Sequence, residues 1–334
     1  MPETTAPERE PLEGGLTEGE VPVGGEDWSH RLVPRLAAVL LVSLVAAVAM
    51  VWLGGGTLVP WHPATTDLAD IVLVERSMAQ GKPVFGPEAP SDLGFTPFGA
   101  LVLSPLALLS LGAWQVLVTL ASSFALVDVV RHAWGVHGWW IVPASVAVLA
   151  LPPVLDAFLR GQVILPLLAL VVADVLAGAA PSAAVPRRRP RLLPQGVGVG
   201  LAAAVWLPFA WVLVALAFAG QRRRALGGFA AWVAAASVGW MVLPDQTERL
   251  VDAWSPGLAG LLAGGMALAV AVVSGRLWVA RPTLALGVVL CGAAGLMASP
   301  LTWPWVGLLV LVGPLVAPRL PSRIWPPGCD PLAS

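Results

Sequence analysis

The sequence predicts an all-helical protein that crosses a membrane several times. Three observations carry this. Hydrophobic residues make up 57% of the 334, and charged residues only 12%, against about 25% in a soluble domain. Long apolar runs, such as 36–53, 163–180 and 257–273, approach the roughly 20 residues a helix needs to cross a bilayer. Almost every Lys and Arg lies between these runs rather than inside them. There are 16 Trp and no Tyr. Trp52, Trp61, Trp139, Trp140, Trp254, Trp303 and Trp305 stand near run ends, as an interfacial belt requires.

The N-terminal segment, 1–31, reads as a disordered acidic cytoplasmic tail. Eight of the 20 acidic residues fall in its first 27 positions, among many Pro and Gly, a composition that cannot bury a core. It is too long and too acidic for a signal peptide. His30, Arg31 and Arg35 flank the first span, about 36–58, as an inner anchor. The membrane domain is expected over 32–318 and a second cytoplasmic tail over 319–334.

The first outer loop, 59–94, mixes charge with apolar residues: Asp67, Asp70, Glu75, Arg76, Lys82, Glu88 and Asp92. Within it, 68–80 reads as an amphipathic helix lying on the membrane surface, stopped by Gly81. Residues 97–110 are too short to cross and are broken at Pro105, so they read as a half-inserted segment. A full span, 113–130, follows and ends inside at Arg131 and His132. Breaks at depth are tolerated only where protein or a wet cavity covers the backbone, which places a cavity near this one.

Residues 139–151 are expected to cross outward and to stop at Pro152–Pro153. Asp156, Arg160, Gly161 and Gln162 then lie at the outer side. Residues 163–180 return to the inner run Arg187, Arg188, Arg189 and Arg191. Residues 196–219 sit between that run and Arg222, Arg223 and Arg224. One full span would leave one basic cluster outside. A hairpin broken at Leu207–Pro208 keeps both inside, and the positive-inside rule favours it. After it come a span at 225–243, an outer loop at 244–256, and spans at 257–273, 284–298 and 306–316. Arg276, Arg281, Arg319 and Arg323 stay inside.

Several chemistries are excluded. No glycine loop for phosphate, no paired-His zinc spacing and no nucleophile elbow occurs. Cys291 and Cys329 give neither a disulfide framework nor a metal site. No metal, cofactor or nucleic-acid partner is expected; a net charge of −1 says little by itself, because the two signs are segregated along the chain. Gly200–Ala204 and Gly260–Gly264 carry small-residue spacing that reads as helix packing.

Asp67 is the first candidate for chemistry, and its surroundings form a pattern. Asp67-Leu68 is followed by Gly81, Phe85 and the turn Phe95-Thr96-Pro97-Phe98. Later come Pro105-Leu106-Ala107-Leu108-Leu109, Gly161-Gln162, Gly200-Leu201-Ala202-Ala203-Ala204-Val205-Trp206-Leu207-Pro208 and Ser299-Pro300-Leu301-Thr302-Trp303. In this order, over about 60–310, the segments resemble glycosyltransferase family 87, polyprenyl-phosphate-mannose-dependent enzymes with a GT-C-type helical bundle. Ile164, Trp206 and Pro304-Trp305-Val306 stand where the family carries Asn, Lys and His.

The resemblance implies a GT-C bundle of about 9 to 11 membrane segments, including short re-entrant ones, in the cell membrane. It implies transfer of a sugar, mannose above all, from a polyprenyl-phosphate donor to a hydroxyl of an envelope glycolipid or glycan. Asp67 would be the general base. Arg160, Gln162, Trp206, Arg76 and Trp303 are the substrate-binding candidates. The leaving group is a stable phosphate anion, so the carboxylate is needed only to take the acceptor proton, and a cation such as Arg160 or Arg76 would meet the phosphate. The departures keep a non-catalytic lipid-glycan-binding relative as the alternative. A transporter ranks below both, because the chain lacks paired half-helices in matching halves.

Overall fold

The structure, a computed structural model, describes residues 28–54, 66–82, 95–176, 194–253, 258–278 and 280–294. Among these the chain is helical, with no strand. The elements are α1 (Trp28–Gly54), α2 (Thr66–Ala79), α3 (Pro97–Leu103), α4 (Leu111–Ala133), α5 (Ile141–Leu149), α6 (Pro152–Arg160) and α7 (Ile164–Leu176). After them come α8 (Val197–Val205), α9 (Ala210–Phe218), α10 (Arg222–Val242), α11 (Pro244–Ala253), α12 (Leu258–Leu277) and α13 (Pro282–Val288). Tight 3-10 turns lie at Ser104–Leu108, Gly138–Trp140 and Leu207–Phe209, and a π turn at Val289–Ala294 follows α13.

Three helical stretches are long and apolar enough to cross a membrane: Leu32–Leu53, Leu111–Ala133 and Arg222–Val242. The pair Gly138–Leu149 and Val154–Arg160, bent by 74°, makes a fourth if it acts as one span. Their outer faces are apolar. Leu36, Leu40 and Leu44 on α1, and Leu226, Phe229 and Val233 on α10, are exposed. Such faces suit hydrocarbon and would be a liability in water. Behind them, Leu126, Phe158, Leu168 and Phe209 are fully buried in a core that joins α1 and α4–α9 to α12 and α13.

Three polar ties mark one end of the bundle. Arg35 of α1 donates to Asp128 of α4 at 2.8 Å, with His132 at 3.4 Å from the same carboxylate. Asp174, near the end of α7, accepts from the Gly196 and Val199 amides at 3.0 and 3.2 Å. It thereby caps the N-terminus of α8, whose first amides have no partner of their own. Arg224, at the start of α10, donates to the Val175 carbonyl at 3.2 Å. The ends of α4 and α7 and the starts of α1, α8 and α10 therefore carry the charged ties.

The stretch 196–219 is a hairpin. Gly196 lies against the Arg224 backbone and Gly200 against that of Gly228, so α8 and α10 run in the same direction. A short turn at 219–221 joins α9 to α10, and Leu213 of α9 packs on Gly228. α9 therefore runs back antiparallel to α8. Pro208 sits at the break, where its missing N–H costs nothing.

Two expected loops are helices. Residues 244–256 hold α11, because Pro244 fits a first-turn position and Asp245 suits the positive helix start. Pro152–Pro153 ends α5 but also starts α6, by the same first-turn tolerance. The small-residue pairs also divide. Gly200 meets α10 closely, whereas a side chain at Gly264 would meet nothing within 4 Å.

Candidate functional site

The site lies at the end of the bundle opposite the Arg35 and Asp174 ties. Ile71, Val72, Phe95 and Val205 form a small buried cluster there. Leu111 and Trp114 from the start of α4, Val163 and Leu167 beside the start of α7, and Trp206 after α8 pack against it. The cluster thus gathers α2, α3, α4, α7 and α8.

Asp67 stands in the first turn of α2, half-buried. A carboxylate is favoured there by the partial positive charge of the helix start. Gln162 Nε2 donates to its Oδ2 at 2.8 Å. Gln162 is aimed by the turn before it. α6 ends at Gly161, whose φ of 70° is left-handed, a conformation that glycine adopts without steric cost. The Gly161 amide bonds the Phe158 carbonyl at 3.0 Å and the Gln162 amide bonds that of Ala157 at 2.9 Å, a paired C-terminal cap. This reverses the chain and brings the amide across to α2.

Arg160 lies one residue before that turn. Its Nε donates to Asp156 at 3.0 Å, and its charge is close enough to Asp67 to attract it. The group is therefore two carboxylates against one guanidinium, with an amide fixing one carboxylate oxygen.

Trp206 follows the last turn of α8, half-buried, and meets Phe95 edge-on with ring centroids 5.4 Å apart. The break at Trp206 leaves the last α8 carbonyls without helical partners, which at membrane depth would be costly. Thr96 supplies them. Its hydroxyl donates to the Ala204 carbonyl and its amide to that of Val205 at 3.2 Å. The same hydroxyl accepts from the Gly99 amide at 3.1 Å, capping α3. Thr96 is thus the pin between α3 and α8, a role its place in an aromatic–Pro turn did not reveal.

Asp67, Gln162, Arg160 and Trp206 are brought to one end of the bundle. Arg76 is not. Nine residues beyond Asp67 on α2, it is displaced by about 13 Å along the helix axis. It points outward and donates to the Leu109 carbonyl at 3.4 Å. Trp303, with Trp61, His62 and Phe85, falls outside the described residues. Among the described residues, no three His, Cys, Asp or Glu side chains converge to hold a metal.

Glu75 is a second carboxyl that sequence reading left among solvated loop residues. Leu68, Ile71, Val72 and Glu75 share the buried face of α2, and that spacing was visible in the sequence. Glu75 is 1% exposed. Burial pushes its carboxyl from an ordinary 4.5 up to about 7. The folded chain therefore holds a proton that the unfolded chain releases. Stability from this group is complete below 4.5 and is lost as pH rises through about 7. The amount at stake is about 3 kcal/mol. In a fixed lipid, the melting temperature of the wild type should fall between about pH 5 and about pH 8 by several degrees more than that of Glu75→Gln. Parallel curves would show that Glu75 is not held this way.

Helices apolar enough to span a bilayer, closed at one end by a carboxylate, an amide and a guanidinium, define a membrane protein with a polar site. The chain belongs to glycosyltransferase family 87, whose model matches residues 95–318. The match covers α3 to the π turn and begins beyond α2, so Asp67 lies outside it. No curated protein and no solved structure matches the chain.

Proposed function

We propose that this glycosyltransferase is a multi-pass protein of the cell membrane. It moves a sugar, mannose above all, from a polyprenyl-phosphate donor to a hydroxyl of an envelope glycolipid or glycan, with Asp67 as general base. The observation that carries the proposal is the 2.8 Å bond from Gln162 to Asp67, beside Arg160 and Trp206, in a chain of this family.

The chemistry needs little else. Asp67 takes the proton from the acceptor hydroxyl as its oxygen attacks the anomeric carbon. The bond from that carbon to the phosphate oxygen breaks, and lipid phosphate leaves with the electron pair. Gln162 holds the carboxylate in one orientation, which limits the loss of alignment that costs rate. Arg160 faces the growing charge on the phosphate. The flat ring of Trp206 suits the face of a sugar.

A second reading is a lipid-glycan-binding relative that does not turn over. The Arg160–Asp156 pair favours it, because the guanidinium is already partly neutralised. Purified protein in lipid, given polyprenyl-phosphate-mannose and a pool of envelope glycolipids, separates the two. Transfer of mannose to a glycolipid is expected. Donor binding without transfer would overturn the enzymatic reading in favour of the binding one.

A further inference from the structure

Glu75 is a buried carboxyl that the proposed reaction leaves unused. It stands two turns beyond Asp67 at i+8, with Ile71 between them at i+4, and its Oε2 is buried without a hydrogen-bond partner. Native proteins rarely leave a buried polar atom in that state. Among the described residues, the elements packed on α2 bring no unpaired cation to relieve it. The turn at 104–108 has no titratable residue. Asp156 and Arg160 on α6 are paired with each other, and Asp128, Arg131 and His132 lie at the far end of α4. On α2 itself, Asp67 is held by Gln162, Asp70 is exposed, and Arg76 points outward.

A second orphan lies on the neighbouring helix. Trp114, in the first turn of α4, has a buried Nε1–H with no partner. Its ring packs on the cluster that contains Ile71 and Val72, and α2 packs against α4. The two orphans are complementary in kind: a carboxyl oxygen accepts and an indole N–H donates. They do not satisfy each other. One hydroxyl group, which donates and accepts, could satisfy both.

We propose that Glu75 and Trp114 form a second binding point for the acceptor glycan, taking a hydroxyl of the sugar ring next to the one that reacts. The proposal rests on the glycosyltransferase reading given above. Eight residues at the helical rise put Glu75 about 12 Å along α2 from Asp67. A hydroxyl at Glu75 therefore belongs to a neighbouring ring rather than to the ring that Asp67 deprotonates. A carboxyl kept buried without a protein partner discriminates strongly against a ligand that lacks the matching hydroxyl, because that ligand leaves it unpaired. The site would thus prefer a longer acceptor over a single sugar.

The test uses the full chain in lipid with polyprenyl-phosphate-mannose as donor, and octyl mannoside and octyl dimannoside as acceptors. Glu75→Leu and Trp114→Phe should each raise KM for the dimannoside about tenfold. The KM for the monomannoside and both kcat values should stay within about twofold. Glu75→Gln, which keeps an acceptor oxygen, should fall between. Calorimetric titration with octyl dimannoside should show the same loss of affinity without any turnover. Glu75→Leu should melt no lower than the wild type, since it removes a buried unpaired carboxyl.

Variants that match the wild type in KM and affinity for the dimannoside would overturn the proposal and leave a buried water as the occupant. A wild type that binds the dimannoside in a Glu75-dependent way but transfers nothing would sink the enzymatic reading and uphold this one. A wild type that neither binds nor transfers overturns both.

Discussion

Asp67→Asn should lower kcat for glycosyl transfer by about 10²–10⁴-fold, the usual worth of a general base. The change keeps the shape of the side chain and an oxygen that accepts from Gln162, so α2 and the turn after α6 stay in place. It removes the basic oxygen that takes the acceptor proton. The KM for donor and acceptor should move by less than about threefold, because ground-state contacts are retained. This split distinguishes a base from a binding residue, which would raise KM first. The measurement is the rate of mannose transfer at saturating donor, wild type against variant, in the same lipid. A variant that works at the wild-type rate would remove Asp67 from the mechanism. In that case the search would move to the region after the π turn, which holds the Ser299–Trp303 segment.

The apolar runs were legible because bilayer spanning is a matter of length and composition. The starts of α10 and α12 differ from the expected ones by at most three residues. α1 begins eight residues earlier than its apolar run, since hydropathy marks where lipid begins and not where a helix starts. The break inside 97–110, where α3 gives way to a 3-10 turn, was readable from Pro105, and the hairpin at 196–219 from its two flanking basic clusters. α6 and α11 were missed because Pro reads as a stop when its other use is as a start. Asp67, Arg160, Gln162 and Trp206 were singled out as candidates through the family resemblance, but their gathering at one end of the bundle was not visible in their spacing. It depends on the left-handed turn at Gly161, a local cap, and on Thr96 joining α3 to α8, a tertiary contact. Glu75 was missed for a different reason. A charged residue in a short amphipathic helix reads as solvated, and only the packing of α2 on α4 and on the turn at 104–108 buries it.

Gly228→Leu should abolish stable folding, and Gly200→Leu should do the same. α8, α9 and α10 cross where Gly228 lies. A Cβ there would stand 2.7 Å from the Gly196 carbonyl oxygen and would run into Leu213. A Cβ at Gly200 would strike the Gly228 carbonyl and stand 2.9 Å from Ala231 Cβ. Backbone is the obstacle on both sides, so rotamer changes cannot relieve it and the helices must part. Overpacking a core that can adjust costs about 1–3 kcal/mol. A crossing that cannot adjust should lose more than about 3 kcal/mol, a large share of the total for most domains. In membranes such close approach is the main source of helix association, because lipid offers no hydrophobic drive. Monodisperse yield and melting temperature in a fixed detergent read the effect. Gly264→Leu is the control, since nothing lies within 4 Å of its Cβ position, and it should melt within about 2 °C of the wild type. Equal melting of Gly228→Leu and Gly264→Leu would refute the crossing. Loss confined to Gly228→Leu and Gly200→Leu would tie the fold to the site, because the same crossing sets where α8 ends and hence where Thr96 and Trp206 stand.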